Sequence, residues 1–240
     1  MHLNKSKVKI IAEIHPQHHG DMDELKRMIL QCKIGGADYV KVQLYNSQKL
    51  FNDKKRQYLE LNELELRDIK LYCSNIGIEL FASVFSLDAV DLCEKLEFKL
   101  YKIASRSINE DKEVCEKILS LNKPVIASLG MYDWKKNGLP FRKNKNVKYL
   151  YCVSNYPTKL EDIDMPNFKK EGIHGFSDHT IGIAACLHSV SLGAQYIEKH
   201  FSTNKSLNVS TELAHTCSMN LEDLKKLREL ADSITLLSRQ

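Results

Sequence analysis

Apolar residues along the chain alternate between two spacings. Short runs dense in β-branched and aromatic residues fall at Val8–Ile14, Tyr39–Leu44, Ile78–Val84, Leu100–Ala104, Pro124–Ser128, Val147–Val153, His174–Phe176 and Tyr196–His200. They read as strands. Between them lie apolar faces at helical spacing. Leu25, Met28, Ile29 and Cys32 form one, and Leu64, Ile69, Tyr72 and Cys73 another. Ala89–Leu96, Val114–Leu121, Ile181–Leu192 and Leu221–Leu237 continue the series; Tyr132–Asn137 is short and is broken by Gly138-Leu139-Pro140. Strands alternating with helices imply parallel pairing, because a parallel connection needs a crossover of about a dozen residues. Eight repeats favour closure into a (β/α)8 TIM barrel of the α/β class over an open doubly wound sheet. The first strand leads into Glu13–Gly20, which carries neither G-x-G-x-x-G nor a Walker pattern. The 240 residues suit eight units, which need about 250. With no linker or low-complexity segment, a single domain over residues 1–240 is expected.

Composition narrows this little. Hydrophobic residues at 43% and charged residues at 28% exclude a disordered chain. The formal charge of +4 is spread along the chain, unlike the dense basic stripe of a nucleic-acid binder. No apolar run reaches the ~18 residues of a membrane span, and Met1–Lys5 shows no signal-peptide core. Seven cysteines with no C-x-x-C pair fit reduced, packed thiols. A cytoplasmic protein that binds neither nucleic acid nor membrane is expected.

Polar and ionisable residues collect at the ends of the predicted strands, where a barrel keeps its active face. In order these are Glu13 with His15, His18 and His19; Lys41 with Gln43; Ser83; Lys102 with Ser105 and Arg106; Ser128; Ser154, Asn155 and Tyr156; Ser177–Thr180; and Glu198–His200. Lys41 and Lys102 suit a phosphate or carboxylate, although spacing alone equally allows a solvated rim or a Schiff-base lysine. His179 and His200 end consecutive units. Two imidazoles with open positions suit divalent Mn, Fe or Zn, and such a pair is also a common structural feature. Asp178 and Glu13 are candidates for orienting an imidazole or for acid/base work. His2, His174 and His188 read as surface or core filler.

These residues sit in motifs that resemble the sialic acid synthase family. Ile11–Ile14 followed by His18–Asp21 is similar to its opening AEI…HNG signature, and Gly36–Gln43 to GAD-x-VK-x-Q. Tyr101–Ser105 resembles YKIAS, and Lys123–Ser128 with Gly130-Met131 resembles KPVI-x-STGM. Tyr156-Pro157, Gly175–Thr180 and Gly193-Ala194 with Ile197–Phe201 resemble C-T-x-x-YP, G-x-SDHT and GA-x-x-IEKHF. The ordered likeness runs from about residue 8 to about residue 230.

The resemblance implies a homodimeric, metal-dependent enzyme condensing phosphoenolpyruvate with an N-acetylmannosamine-like aldose. The products would be phosphate and a 2-keto-3-deoxy sugar acid for nonulosonic acid or surface-glycan synthesis. It places His179 and His200 as ligands of Mn2+ (Mg2+ or Co2+ being the other candidates), polarising the aldehyde for attack by C3 of the enol. Glu13 would lie near that aldehyde. Lys41, Ser83, Lys102, Ser105, Ser128 and Ser177 would hold phosphoenolpyruvate, and Tyr156 the sugar, with Gln43, Ser154 and Asp178 as further substrate contacts. The chain also departs from the pattern. Ser107 stands where the family has a glutamate, His15 replaces a glycine, and Val153 and Ser154 replace Thr and Asn. Glu212–His215 replaces G-P-D-H, so that Glu212 or His215 is a candidate substitute for its acid. The family's C-terminal antifreeze-like domain has no counterpart before Gln240 and is expected on a separate protein, if used. Two competing expectations are a noncatalytic, partner-dependent sugar-acid-binding barrel and a lyase or aldolase using Lys102 covalently.

Overall fold

The computed structural model describes residues 7–207 and 209–238; His2 and the rest of Met1–Lys5 lie outside them. Eight strands, all paired in parallel, close in chain order into a barrel, so the chain is an α/β protein with (β/α)8 architecture. They are β1 (Lys9–Glu13), β2 (Tyr39–Leu44), β3 (Glu79–Val84), β4 (Tyr101–Ile103), β5 (Val125–Ser128), β6 (Val147–Cys152), β7 (Gly175–Asp178) and β8 (Tyr196–His200). The helices are α1 (Met22–Gly35), α2 (Ser47–Phe51), α3 (Glu63–Ile76), α4 (Leu87–Lys95), α5 (Ser107–Glu110), α6 (Lys112–Ser120), α7 (Trp134–Asn137), α8 (Ala184–Ser191) and α9 (Leu221–Leu237).

Local signals set the longer helices. Asp21 caps α1 by accepting from the backbone N–H groups of Asp23 and Glu24, and Gly36 ends it at φ 90°, a conformation that glycine adopts without Cβ strain. Capping boxes start α3 (Asn62 with Glu65) and α9 (Asn220 with Asp223). Each of these three helices then buries one apolar face, as with Leu66, Ile69 and Cys73 of α3. On the last helix Arg228 ties the barrel shut, donating to the Val8 carbonyl at 2.8 Å and to Asp38 at 3.3 Å.

Two connections lack a full helix, the first as the break at Gly138-Leu139-Pro140 led one to expect. Among the described residues, the β5–β6 segment holds only the single turn α7, and the β6–β7 segment only a 3-10 turn, Leu160–Asp162. The strand expected at His174–Phe176 runs instead from Gly175 to Asp178. Its polar end joins the ladder, with Ser177 opposite Glu198 and Asp178 opposite Lys199, and hydrophobicity carries no trace of that pairing. His174 stays outside, its Nδ1 accepting from Tyr149 N–H.

Strand alternation decides which side chains enter the barrel. Tyr39 and Phe81 meet edge to face near the bottom, 5.9 Å between centroids. Gly175 faces the same interior, where a Cβ would lie 2.1 Å from the Tyr196 carbonyl oxygen; the close approach of β7 to β8 therefore requires glycine here.

Candidate active site

The strand ends open into one cavity of about 340 Å³. Inward-facing positions supply its floor: Glu13 from β1, Lys41 and Gln43 from β2, Ser83 from β3, Lys102 from β4, Ser128 from β5, Cys152 from β6, Ser177 from β7, and Glu198 with His200 from β8. The loops after β4 and β6 add Ser105, Ser154 and Tyr156, and His179 follows β7 directly. Of the residues to which the resemblance gives a catalytic, metal or substrate role, all but one reach this cavity; among the other strand-end residues, His18, His19, Asn155, Thr180 and Lys199 do not line it.

The exception is Asp178. It adjoins the inward Ser177 and therefore points outward, where its carboxylate meets Lys199 Nζ at 2.7 Å with both side chains fully buried. It also accepts from Thr180 N–H and from Cys186 Sγ–H. The expectations that Asp178 contacts substrate or orients an imidazole are corrected accordingly: it is a structural counter-ion between the barrel and α8.

At the centre lies a buried ionic cluster. Glu198 accepts from Lys102 at 2.7 and 2.8 Å, from Lys41 at 2.9 Å and from Ser177 at 3.0 Å. Lys41 also meets Glu13 at 2.9 Å, and Glu13 accepts from the His15 backbone N–H at 2.9 Å and from Gln43 Nε2 at 3.3 Å. Burial alone would raise the Glu198 carboxyl, yet the two ammonium groups hold it well below the usual range. Burial raises Glu13, with Lys41 opposing. Lys41 is raised, since its two carboxylate neighbours outweigh burial. Burial, aided by the charge on Lys41 and opposed by Glu198, brings Lys102 down to about 8. The two lysines are thus unequal: Lys41 keeps its charge to high pH, whereas Lys102 gives up its proton near pH 8.

On the opposite side stand His179 and His200, their ring centroids 5.8 Å apart. Nδ1 of His179 faces the Val153 carbonyl at 2.7 Å, and Nδ1 of His200 faces Gln17 Oε1 at 2.9 Å. Both partners only accept, so each ring carries its proton on Nδ1 and keeps the Nε2 lone pair. Burial brings His179 down to about 4 and holds His200 well below its ordinary value. Two neutral imidazoles with fixed tautomers fit a divalent ion with open coordination positions. Tyr156 packs its ring 4.1 Å from that of His179. Ser128 Oγ is buried without a hydrogen-bond partner among the described residues. Ser105 and Ser154 share a 3.3 Å contact, and Gly130 leaves room for it, since a Cβ there would lie 2.4 Å from Ser154 Oγ.

Several lining residues were given no individual role by the sequence reading, and Arg56 was missed altogether. Glu198 was legible: it lies two positions before His200 on one strand, hence on the same face. His15 lines the cavity too, and it ends a chain of contacts. Gly20 N–H donates to His18 Nδ1, His18 Nε2 lies 3.1 Å from His15 Nδ1, and His15 Nε2 lies 3.2 Å from Tyr45 Oη. Burial holds His15 well below its ordinary value and brings His18 down to about 4. Arg56 and Arg106 stand at the mouth over the Phe51 ring, at 4.3 and 5.8 Å. Arg56 lies in a long β2–α3 connection whose course no local pattern gives. Ser107, where the resemblance called for a glutamate, is buried at the start of α5 and does not line the cavity. Glu212 and His215 sit beside the mouth without facing its floor, whereas their neighbours Leu213 and Ala214 line it.

The chain is similar to known proteins in sequence and in fold. Residues 28–238 match the family described as the NeuB family. A protein of Methanocaldococcus jannaschii is 34% identical over 96% of this chain and 71% of its own length. The N,N'-diacetyllegionaminic acid synthase of Campylobacter jejuni is 30% identical over 92% of this chain and 74% of its own. Among solved structures, a sialic acid synthetase from Leptospira borgpetersenii in complex with citrate superposes with a TM-score of 0.89 at 26% identity. That superposition covers 98% of this chain and 86% of the other.

Proposed function

Because the chain belongs to the NeuB family, we propose that it is a sugar acid synthase condensing phosphoenolpyruvate with an N-acetylmannosamine-like aldose. One water is consumed, adding at C2 as phosphate leaves, and the products are phosphate and a 2-keto-3-deoxy acid, in the manner of a C–C bond-forming transferase of nonulosonic acid or surface-glycan synthesis. The observation that carries this reading is the pairing, across one cavity, of the Lys41–Glu198–Lys102 cluster with two neutral imidazoles.

The anionic donor belongs on the lysine side. Its phosphate and carboxylate take hydrogen bonds from Lys41 and Lys102 and from the hydroxyls of Ser83, Ser105, Ser128 and Ser177. Ser128, without a hydrogen-bond partner among the described residues, offers one donor at no loss of an existing bond. Binding draws the lysines from Glu198 toward the ligand and so favours the charged form of Lys102. His179 and His200 would hold a divalent cation, Mn2+ being the best match. When bound, that ion supplies Lewis-acid polarisation of the acceptor carbonyl. Glu13, buried beside His15 and Gln43, is placed to exchange a proton with the acceptor oxygen, and Tyr156, with Gln43 and Ser154, to orient the sugar. Arg56 and Arg106 add positive potential at the mouth, which speeds entry of an anion. A homodimer in the cytoplasm completes the proposal.

The test is phosphate release from phosphoenolpyruvate across a panel of aldoses with Mn2+, followed by product mass. Release that depends on both substrates supports the synthase; none across a broad panel favours a binding role. The value of about 8 for Lys102 gives one specific observation in favour of a covalent lysine instead. Borohydride trapping of a substrate adduct on Lys102 would establish that second reading.

A further inference from the structure

Outside the cavity floor, the β1–α1 loop and the long β8–α9 loop bring together His19, Glu212 and His215. One ligand atom from each lies within 4.8 Å of the others. His19 Nδ1 is 2.5 Å and His215 Nε2 3.0 Å from Glu212 Oε2, and the two rings stack at 4.9 Å. Glu212 and His215 are almost fully buried, while the His19 side chain is 31% exposed, leaving an approach from solvent.

The surroundings of these groups favour a cation. His215 Nδ1 faces the Asn204 carbonyl at 3.1 Å and the Ser202 hydroxyl at 2.8 Å. In the tautomer protonated on Nδ1, from which the carbonyl and the hydroxyl oxygen both accept, the Nε2 lone pair faces Glu212 Oε2 and is open to a cation. Two lone pairs at 3.0 Å repel unless a proton or a metal ion sits between them. An imidazole whose other nitrogen is anchored to a carbonyl is the usual arrangement of a metal-ligating histidine. The second carboxylate oxygen, Oε1, accepts from Tyr58 Oη, which fixes the carboxylate plane as a supporting partner would. His19 adopts φ 54°, a sparsely populated backbone state that holds its ring over the carboxylate.

We propose that His19, Glu212 and His215 form a second metal site, separate from the His179–His200 pair, that binds a divalent transition ion of the Zn2+ class. Two imidazoles and one carboxylate suit such an ion, with water in the fourth position. Tetrahedral ligands stand about 3.3 Å apart, so the exposed His19 ring must draw back from its 2.5 Å contact with Glu212 Oε2 while the buried pair, at 3.0 Å, stays nearly in place. The ion would clip the β8–α9 loop, which lines the cavity through Ser210, Thr211, Leu213 and Ala214, to the loop that carries His15. The site thus steadies the mouth and takes no part in bond making.

Equilibrium dialysis of the full chain with Zn2+ alone, and with Co2+ as a spectroscopic probe, tests the assignment. In a His200→Ala background one equivalent should remain, with the intense visible absorption of four-coordinate Co2+, and adding His19→Asn should remove it. In the otherwise unaltered chain, His19→Asn should lower the Zn2+ stoichiometry by one and abolish part of the thermal stabilisation by Zn2+. Because His19 is partly exposed, the metal-free melting temperature of the variant should match that of its parent. Unchanged stoichiometry in His19→Asn, or no Zn2+ retained by the folded His200→Ala protein, would overturn the proposal.

Discussion

Replacing Glu198 by glutamine removes the only charge among the described residues that touches both central lysines, while keeping the side chain's size. Glu198 Oε1 accepts from Lys41, Lys102 and Ser177, and Oε2 from Lys102 at 2.8 Å. With the amide oxygen left in the first position, its NH2 group faces the Lys102 ammonium, donor against donor. Lys41 retains Glu13, so one buried ammonium loses its counter-ion. Breaking a buried pair in this way costs about 3–5 kcal/mol. For a chain of this size that lowers the melting temperature by roughly 6–20 °C. The pH dependence has a definite sign. Lys102 is already down at about 8, and losing Glu198 depresses it further below its unfolded value near 10.4. The unfolded chain then binds the extra proton, so stability rises with pH through that window. The variant's window opens at lower pH than the parent's, and the gap between them narrows from about pH 6.5 to about pH 8.5. Thermal melts of both proteins at the two pH values, with and without phosphate as a substitute counter-ion, provide the assay. A melting temperature within about 2 °C of the parent at the lower pH, or a gap that widens with pH, would refute the reasoning.

Three further outcomes are expected. The affinity for phosphoenolpyruvate should fall as pH rises through about 8, because Lys102 is cationic only below that point; a KM for phosphoenolpyruvate that stays flat well above pH 8 would contradict its role. His179→Ala and His200→Ala should each lose bound Mn2+ by elemental analysis, and retained stoichiometric Mn2+ in either would remove that ligand assignment. Asp178→Asn strands Lys199, and unfolding in urea should show a loss of about 3–5 kcal/mol, whereas Asp178→Leu with Lys199→Met should recover much of it. Equal losses in the single and double variants would mean that something other than the buried pair sets the cost.

The sequence determined most of the barrel. Strand periodicity located Tyr39–Leu44 and Tyr196–His200 to the residue, because inward and outward neighbours on these strands differ in chemistry. Strand-end residues pointed to the cavity because a parallel barrel gathers all its strand ends at one rim. What the tertiary structure decided was direction and partnership. Asp178 and Ser177 are adjacent in sequence, yet one meets Lys199 in the outer layer and the other Glu198 inside. Glu198 touches Lys41 and Lys102 from 157 and 96 residues away, a pairing that no local window contains. The long loops were least legible of all. Arg56, and the grouping of His19 with Glu212 and His215, arise where segments distant along the chain are packed over the barrel mouth. Local propensity acts over a few residues, whereas electrostatic contact depends on separation in space, and only the closed fold converts the one into the other.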